Sequence, residues 1–276
     1  MTTDFRGKYG PWGLVAGASV GLGAAFAEQL ASRGLNLVLI ARRMEPLEKL
    51  KAELQARHGV DVRPVQLDLA APDLIEELSP HTDDIDIGLM VYDTAFHTIG
   101  PFLQQTLENH MRHIDVNCRG PLLLSYHFGN RMVQRGRGGI ILMGSLSGFQ
   151  GNPLLSHYAA TKAYNIMLAE GLWYELRQHG VDVMVSVSGA VETPNYIGSN
   201  PRKLSMMAPS PLKPADVARQ SVAALGKAHT FVPGRAYRLA SLVTRRLMTR
   251  SGAIGMMAAS TESMYGDRNV VINPKI

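Results

Sequence analysis

A single cysteine, Cys118, stands in a chain of 276 residues, so no disulfide forms within it and a reducing compartment is expected. No apolar run approaches the ~18 residues that a membrane-spanning helix needs. The first residues, Met1 to Arg6, lack the apolar core of a secretory signal. Internal repeats and low-complexity tracts are missing as well. The expectation is a soluble, cytoplasmic globular protein, and with 46% apolar residues the chain can bury a substantial core. Positive charge is in deficit over most of the length. Residues 1–200 carry 16 Lys/Arg against 20 Asp/Glu, a balance of −4, whereas residues 201–276 carry 12 against only Asp216, Glu262 and Asp267, a balance of +9. Such a split suits an anionic partner. The basic residues are not interleaved with stacking aromatics, so nucleic acid is not expected. No metal-ligating set is assigned.

Hydrophobic patterning alternates strand and helix. The run from Leu35 to Ala41 is almost unbroken, as a parallel strand covered on both faces requires. Leu14 to Ala16, Val62 to Leu67, Ile85 to Tyr92, Gly139 to Gly144 and Val181 to Val187 read as further strands. A helix is expected from about Ser156 to His179, and another opening at Ala24. Strands alternating with helices imply right-handed crossovers and a doubly wound parallel sheet with helices on both faces. Ligands of such sheets bind beyond the carboxyl ends of the strands. Gly17, Asp68, Tyr92, Ser145 and Ser188 all fall at or just past those ends.

Tyr158 and Lys162 lie four residues apart in the expected long helix, which puts both side chains on one face, about 5–6 Å apart at Cβ. A free phenol titrates near ~10. A neighbouring ammonium is expected to lower that value and give a group able to exchange a proton with an alcohol or carbonyl. Ser145 lies thirteen residues upstream, where a strand stops at a Gly/Ser turn, and its hydroxyl can hold a substrate oxygen opposite the tyrosine. Near the start of the chain an apolar strand runs into a turn containing Gly17, Gly21 and Gly23. Such a turn lets backbone approach a pyrophosphate at the positive end of the following helix. Asn117 completes the set. These residues resemble the short-chain dehydrogenase/reductase family, whose pattern is T-G-x-x-x-G-x-G, then Asn, Ser and Tyr-x-x-x-Lys. The resemblance extends over roughly residues 10–235.

The resemblance implies a Rossmann-like domain over 1–235 that binds a nicotinamide dinucleotide, with 236–276 as a basic C-terminal helical extension. Gly17, Ser19, Gly21, Leu22 and Gly23 would cradle the cofactor. Tyr158 would donate the proton, Ser145 would fix the carbonyl, Lys162 would hold the nicotinamide ribose, and Asn117 would hold a relaying water. Ser147 is the alternative hydroxyl, and Asn117 can also be a structural amide. Thr193 resembles the residue that contacts the carboxamide, and Asp68 the one that contacts the adenine; a helix N-cap is its other reading. An NAD ribose is usually read by an acid about 20 residues past the glycine turn. Here the second strand ends in Arg42 and Arg43. Two guanidiniums suit a 2′-phosphate, so NADP(H) is expected, with Arg43 flanking the adenine; both arginines can instead open the next helix.

The family pattern is broken in three places. Its N-N-A-G motif is Tyr92-Asp93-Thr94-Ala95 here, its P-G after the sixth strand is Ser188-Gly189, and Ala16 replaces the first threonine. Asp93 either accepts backbone N–H groups in an Asx-type turn or repels the cofactor. Residues 195–214 read as a lid in which Met206 and Met207 cover an apolar ligand, and His97 lies near the pocket. In the segment from Arg235 to Arg250, Tyr237, Leu239, Leu242, Val243 and Leu247 share one helical face, with Arg238, Arg245 and Arg246 largely elsewhere. That helix packs against a subunit, rests on an anionic membrane surface, or grips the phosphates of an acyl-CoA or acyl carrier. The expectation is NADPH-dependent reduction of a ketone, lipophilic or a 3-oxoacyl thioester, by a homodimer or homotetramer. Oxidation of an alcohol by the same residues, or a non-catalytic NADPH-binding scaffold, are the alternatives.

Overall fold

The computed structural model describes residues 4–202 and 209–266. The elements follow in the order α1 (Phe5–Tyr9), β1 (Trp12–Ala16), α2 (Gly21–Ala31), β2 (Asn36–Ala41), α3 (Met44–His58), β3 (Val62–Gln66), α4 (Leu74–Leu78), β4 (Ile87–Tyr92) and α5 (Leu107–Ile114). Then come α6 (Gly120–Arg135), β5 (Gly138–Ser145), α7 (Ser156–Leu176), β6 (Val181–Ser188), α8 (Pro194–Gly198), α9 (Pro214–Ala224), β7 (Thr230–Phe231), α10 (Arg235–Leu247) and α11 (Arg250–Tyr265). All strand pairs are parallel, in the order β3-β2-β1-β4-β5-β6-β7.

The apolar strands explain the layering. Every residue of β4 is buried, and the side chains of the sheet divide between two cores, one beneath α2 and α3, the other beneath α6 and α7. Chain direction reverses its march between β1 and β4, and a crevice opens there at the carboxyl ends. The register sets Ala16 opposite Tyr92 and Ser145 opposite Ser188. That alignment brings the glycine turn, Asp93 and the end of β5 to one rim.

Several boundaries differ from the sequence expectation. α2 opens at Gly21 rather than Ala24, because Gly21 takes the turn at φ 64° and the helix follows at once. α5 runs through a π-turn, Asp115–Arg119, into α6. The basic C-terminal segment holds two helices, and the first ends at Leu247 rather than running to Arg250. The chain breaks at Met248, and the Thr249 hydroxyl caps α11 by accepting the Gly252 N–H at 3.2 Å. The face of α10 also differs. Tyr237 is buried, yet Leu239, Leu242, Val243 and Leu247 are exposed, while Arg238 stacks on Phe231 and Arg245 on Phe149. Met206 and Met207 lie outside the described residues. Among the described residues no helix is long and apolar enough to cross a membrane.

Candidate active site

The crevice is a cavity of about 720 Å³ running from Arg42 and Arg43 at one end to Tyr158 and Lys162 at the other. α7 starts at Ser156, so Tyr158 sits in its first turn and Lys162 one turn later on the same face. The Lys162 Nζ lies 5.7 Å from the centre of the Tyr158 ring and donates to the Met143 carbonyl at 2.8 Å. Met143 is two residues short of Ser145 on β5, so strand and helix are tied together at the point where their polar groups converge. Ser145 accepts the Ser147 N–H at 3.2 Å, and the Ser147 hydroxyl is taken by Asn152 at 3.1 Å, which leaves Ser145 as the hydroxyl that faces Tyr158.

Burial dominates the electrostatics here. It pushes the Tyr158 phenol up to about 12, with Ser145 pulling the other way and Asp93 and Tyr265 adding to the rise. The phenol is thus raised rather than lowered as expected, with desolvation setting the direction, while the Lys162 ammonium donates to the Met143 carbonyl. Burial likewise lowers Lys162 to about 8, opposed by Asp93, and raises Asp93 to about 8, opposed by Lys162 and the Gly23 N–H. Of the two roles expected of Asp93, it accepts a backbone N–H, that of Gly23, which ties the end of β4 to the first turn of α2 rather than closing a local turn.

Asn117 is fully buried and its amide is committed. Oδ1 accepts the Phe96 N–H at 2.8 Å, and Nδ2 donates to the Phe96 carbonyl at 2.8 Å and to Thr161 at 3.0 Å. The side chain thus bridges the loop after β4 to α7. Tyr92, where the family carries an amide, donates to the Val116 carbonyl in the π-turn at 2.5 Å, and a Cβ on Gly120 would stand 2.3 Å from its hydroxyl. The phenol fills that space.

At the other end the backbone is shaped for close approach. Gly17 has φ 95° and its N–H donates to Ile40, while a Cβ on Gly23 would stand 2.1 Å from the Gly17 carbonyl. Only glycine at both places permits this turn. Ser19, Gly21, Leu22 and Thr193 line the cavity beside it. Thr94 Oγ1 is buried there with no hydrogen-bond partner. An orphaned hydroxyl beside a glycine turn at a helix N-terminus fits a dinucleotide. Arg42 lines the cavity, and Arg43 both lines it and stands at the N-cap of α3. Asp68 is not a helix cap, since α4 begins at Leu74. Its carboxylate accepts the Ala70 N–H at 3.0 Å and pairs with Arg112 at 2.9 Å. Against the effect of burial, these partners and Arg42 hold Asp68 below the usual carboxylate range.

Two lining residues, Arg112 and Tyr265, carry no sequence signal of their own. Arg112 arrives from α5 through its pair with Asp68, and Tyr265 arrives from α11, where its hydroxyl meets Ser199 at 3.2 Å. His97 lies against Tyr158, ring centres 5.7 Å apart, and burial lowers its imidazole to about 4. Its position near the pocket was readable from the sequence, but its contact was not. Gly189 of the altered P-G pair admits the ring of Tyr237, which a Cβ would meet at 2.2 Å.

Comparison with known proteins places these features in context. The family profile described as short chain dehydrogenase matches residues 12–203. A 7beta-hydroxysteroid dehydrogenase of Clostridium sardiniense is 35% identical over 235 residues, 85% of this chain and 90% of that protein. A very-long-chain 3-oxoacyl-CoA reductase of Neurospora crassa is 36% identical over 210 residues, 74% of this chain and 62% of that protein. A solved 7beta-hydroxysteroid dehydrogenase structure superposes with TM-score 0.85 at 28% identity, covering 92% of this chain and 98% of that one.

Proposed function

Because the chain belongs to the short-chain dehydrogenase family, an oxidoreductase of CH–OH and C=O groups, we propose that it reduces the ketone of a bulky lipophilic molecule of steroid type with NADPH. The observation that carries this reading is Tyr158 on the cavity wall, its hydroxyl bonded to Ser145 and its ring 5.7 Å from the Lys162 ammonium. A nicotinamide dinucleotide, when bound, supplies the hydride. Ser145 donates a hydrogen bond to the ketone oxygen and fixes it beside Tyr158. Tyr158 gives its proton to that oxygen as the carbon is reduced, so one hydride and one proton convert C=O to CH–OH. Lys162, with a lowered affinity for its own proton, stabilises the phenolate left behind and helps to return the proton. Asn117 keeps the loop after β4 and α7 in register. Arg42 holds the 2′-phosphate, with Arg43 beside the adenine and Thr193 beside the carboxamide.

The substrate class rests on the cavity and the relatives together. Leu155, Tyr196 and Tyr265 give the Tyr158 end of the cavity bulky walls, and the C. sardiniense protein is named for a hydroxysteroid. A 3-oxoacyl thioester is the second reading, favoured by the +9 balance after residue 200. The test is NADPH consumption against steroid ketones and 3-oxoacyl thioesters, with Tyr158→Phe as the blank. Turnover on steroid ketones that vanishes in Tyr158→Phe is the expected result. Turnover on thioesters alone, with a KM that rises steeply with salt, selects the second reading. NADPH binding without turnover on any member overturns both.

A further inference from the structure

Three of the chain's nine histidines meet in one place outside the cavity: His110 and His113 on α5, and His157 in the first turn of α7. One ring nitrogen of each lies within 4.8 Å of the other two. We propose that these three imidazoles bind a divalent transition metal ion, with zinc the best suited, and that the ion clamps α5 to the start of α7. Sequence spacing does not reveal the set, because its ligands come from two elements 44 residues apart at His113 and His157.

The hydrogen bonds already set the tautomers that a metal needs in two of the three rings. His113 Nδ1 donates to the Asn109 carbonyl at 2.8 Å, which leaves its lone pair on Nε2. That Nε2 is buried without a partner, in a residue only 1% exposed. A buried ring nitrogen left so is costly unless a ligand completes it. His110 Nε2 donates to the Phe102 carbonyl at 3.1 Å, which leaves its lone pair on Nδ1. Metal-bound histidines are oriented in this way, the second ring nitrogen tied to a carbonyl. The His110 Nδ1 accepts the Nδ1–H of His157 at 3.0 Å, a proton that an ion between the rings would replace.

An ion about 2.0–2.1 Å from each nitrogen in a tetrahedron spaces them about 3.3 Å apart. The His110–His157 pair is within a few tenths of an ångström of that, and the other nitrogens, within 4.8 Å of one another, would draw in to meet the ion. His157 is half-buried, its only hydrogen bond among the described residues is to His110, and its ring stacks on that of His113 with centres 4.9 Å apart. Three nitrogens and no carboxylate suit zinc, copper or nickel and disfavour magnesium, calcium and manganese, which take oxygen. Phe102 stacks on His110 with centres 4.2 Å apart, and Phe96 meets His113 edge-on at 4.9 Å, forming an apolar wall. The fourth position is left to water. None of the three histidines lines the cavity, yet His157 immediately precedes Tyr158. The ion would therefore position the turn that carries Tyr158 without touching substrate.

Tag-free full-length protein, stripped with a chelator, is titrated with Co²⁺ and followed by visible absorption. The expected result is one ion per chain, a strong tetrahedral d–d band, displacement by one equivalent of Zn²⁺, and a higher Tm with Zn²⁺. His157→Ala, at the half-buried position, should weaken Co²⁺ at least about tenfold. His113→Gln should do the same, and His179→Ala should leave binding unchanged. The proposal is overturned by a missing band at stoichiometric Co²⁺. An unchanged band in folded His157→Ala overturns it too, as does a thiolate charge-transfer band, which would place the ion on Cys118.

Discussion

The two ends of the cavity work by opposite physics. At the Tyr158 end Lys162 is buried and Tyr158 and Asp93 are half-buried, and desolvation moves all three of them: Tyr158 to about 12, Lys162 to about 8 and Asp93 to about 8. At the Arg42 end the charged groups are more open to solvent, and Asp68 keeps its charge through Ala70, Arg112 and Arg42. Charge is expensive where water is excluded and cheap where it is not. One end is therefore built to hold and release a proton, and the other to recognise fixed charge. The difference also explains why Tyr92-Asp93-Thr94-Ala95 is tolerated. Asp93 sits where burial suppresses its charge, so the repulsion a carboxylate would exert on a pyrophosphate is muted.

The comparison can be broken from either end. The largest expected effect is at Tyr158: Tyr158→Phe should lower kcat by about 10³-fold, the scale of a lost general acid, and leave the NADPH dissociation constant within about threefold. A matching loss of cofactor affinity would merge the two ends into one. Next comes Arg42→Asp. Losing one charge-assisted hydrogen bond and adding a repulsion should shift the NADPH-over-NADH binding ratio by about 10–100-fold, and an unchanged ratio would remove the recognition role. Tyr265→Ala takes a ring from the wall at the Tyr158 end, and KM for a bulky ketone should rise about tenfold, with kcat changing less. Equal losses in kcat and kcat/KM would instead make Tyr265 part of the chemistry.

The smallest effect is in stability against pH. Burial pushes the folded carboxyl of Asp93 up to about 8, from an ordinary value of 3.8. The folded state thus keeps a proton that the unfolded state gives up, and stability falls as pH rises from about 4 to about 8. Lys162, lowered to about 8, adds a pH dependence of its own only above that range. In Asp93→Asn the fall between pH 5 and pH 7.5 should flatten by a few degrees in Tm. Parallel curves for the two proteins would show that Asp93 is charged in the fold.

What the sequence disclosed divides along the same line. The strands were legible because buried parallel strands are apolar runs, and the glycine turn, Ser145, Tyr158 and Lys162 because each is fixed by spacing within one element or across one turn. β7 was not, since two residues, Thr230 and Phe231, hold no period. The break between α10 and α11 had a signal in the capping Thr249, but the arginine-rich stretch read as continuous. Arg112 and Tyr265 reach the cavity only through tertiary packing, and nothing local marks them. The rise of the Tyr158 phenol was hidden for a related reason: an i,i+4 lysine is visible in a sequence, but the desolvation around the phenol is not.

The most direct measurement pairs the two ends in one experiment. Dissociation constants for NADPH and NADH and single-turnover reduction of a steroid ketone are determined side by side for the wild type, Tyr158→Phe and Arg42→Asp. The account predicts a crossed result: Tyr158→Phe loses turnover and keeps cofactor preference, while Arg42→Asp loses preference and keeps the reduction rate once cofactor is saturating. Variants that lose turnover and preference together, in both proteins, would contradict it.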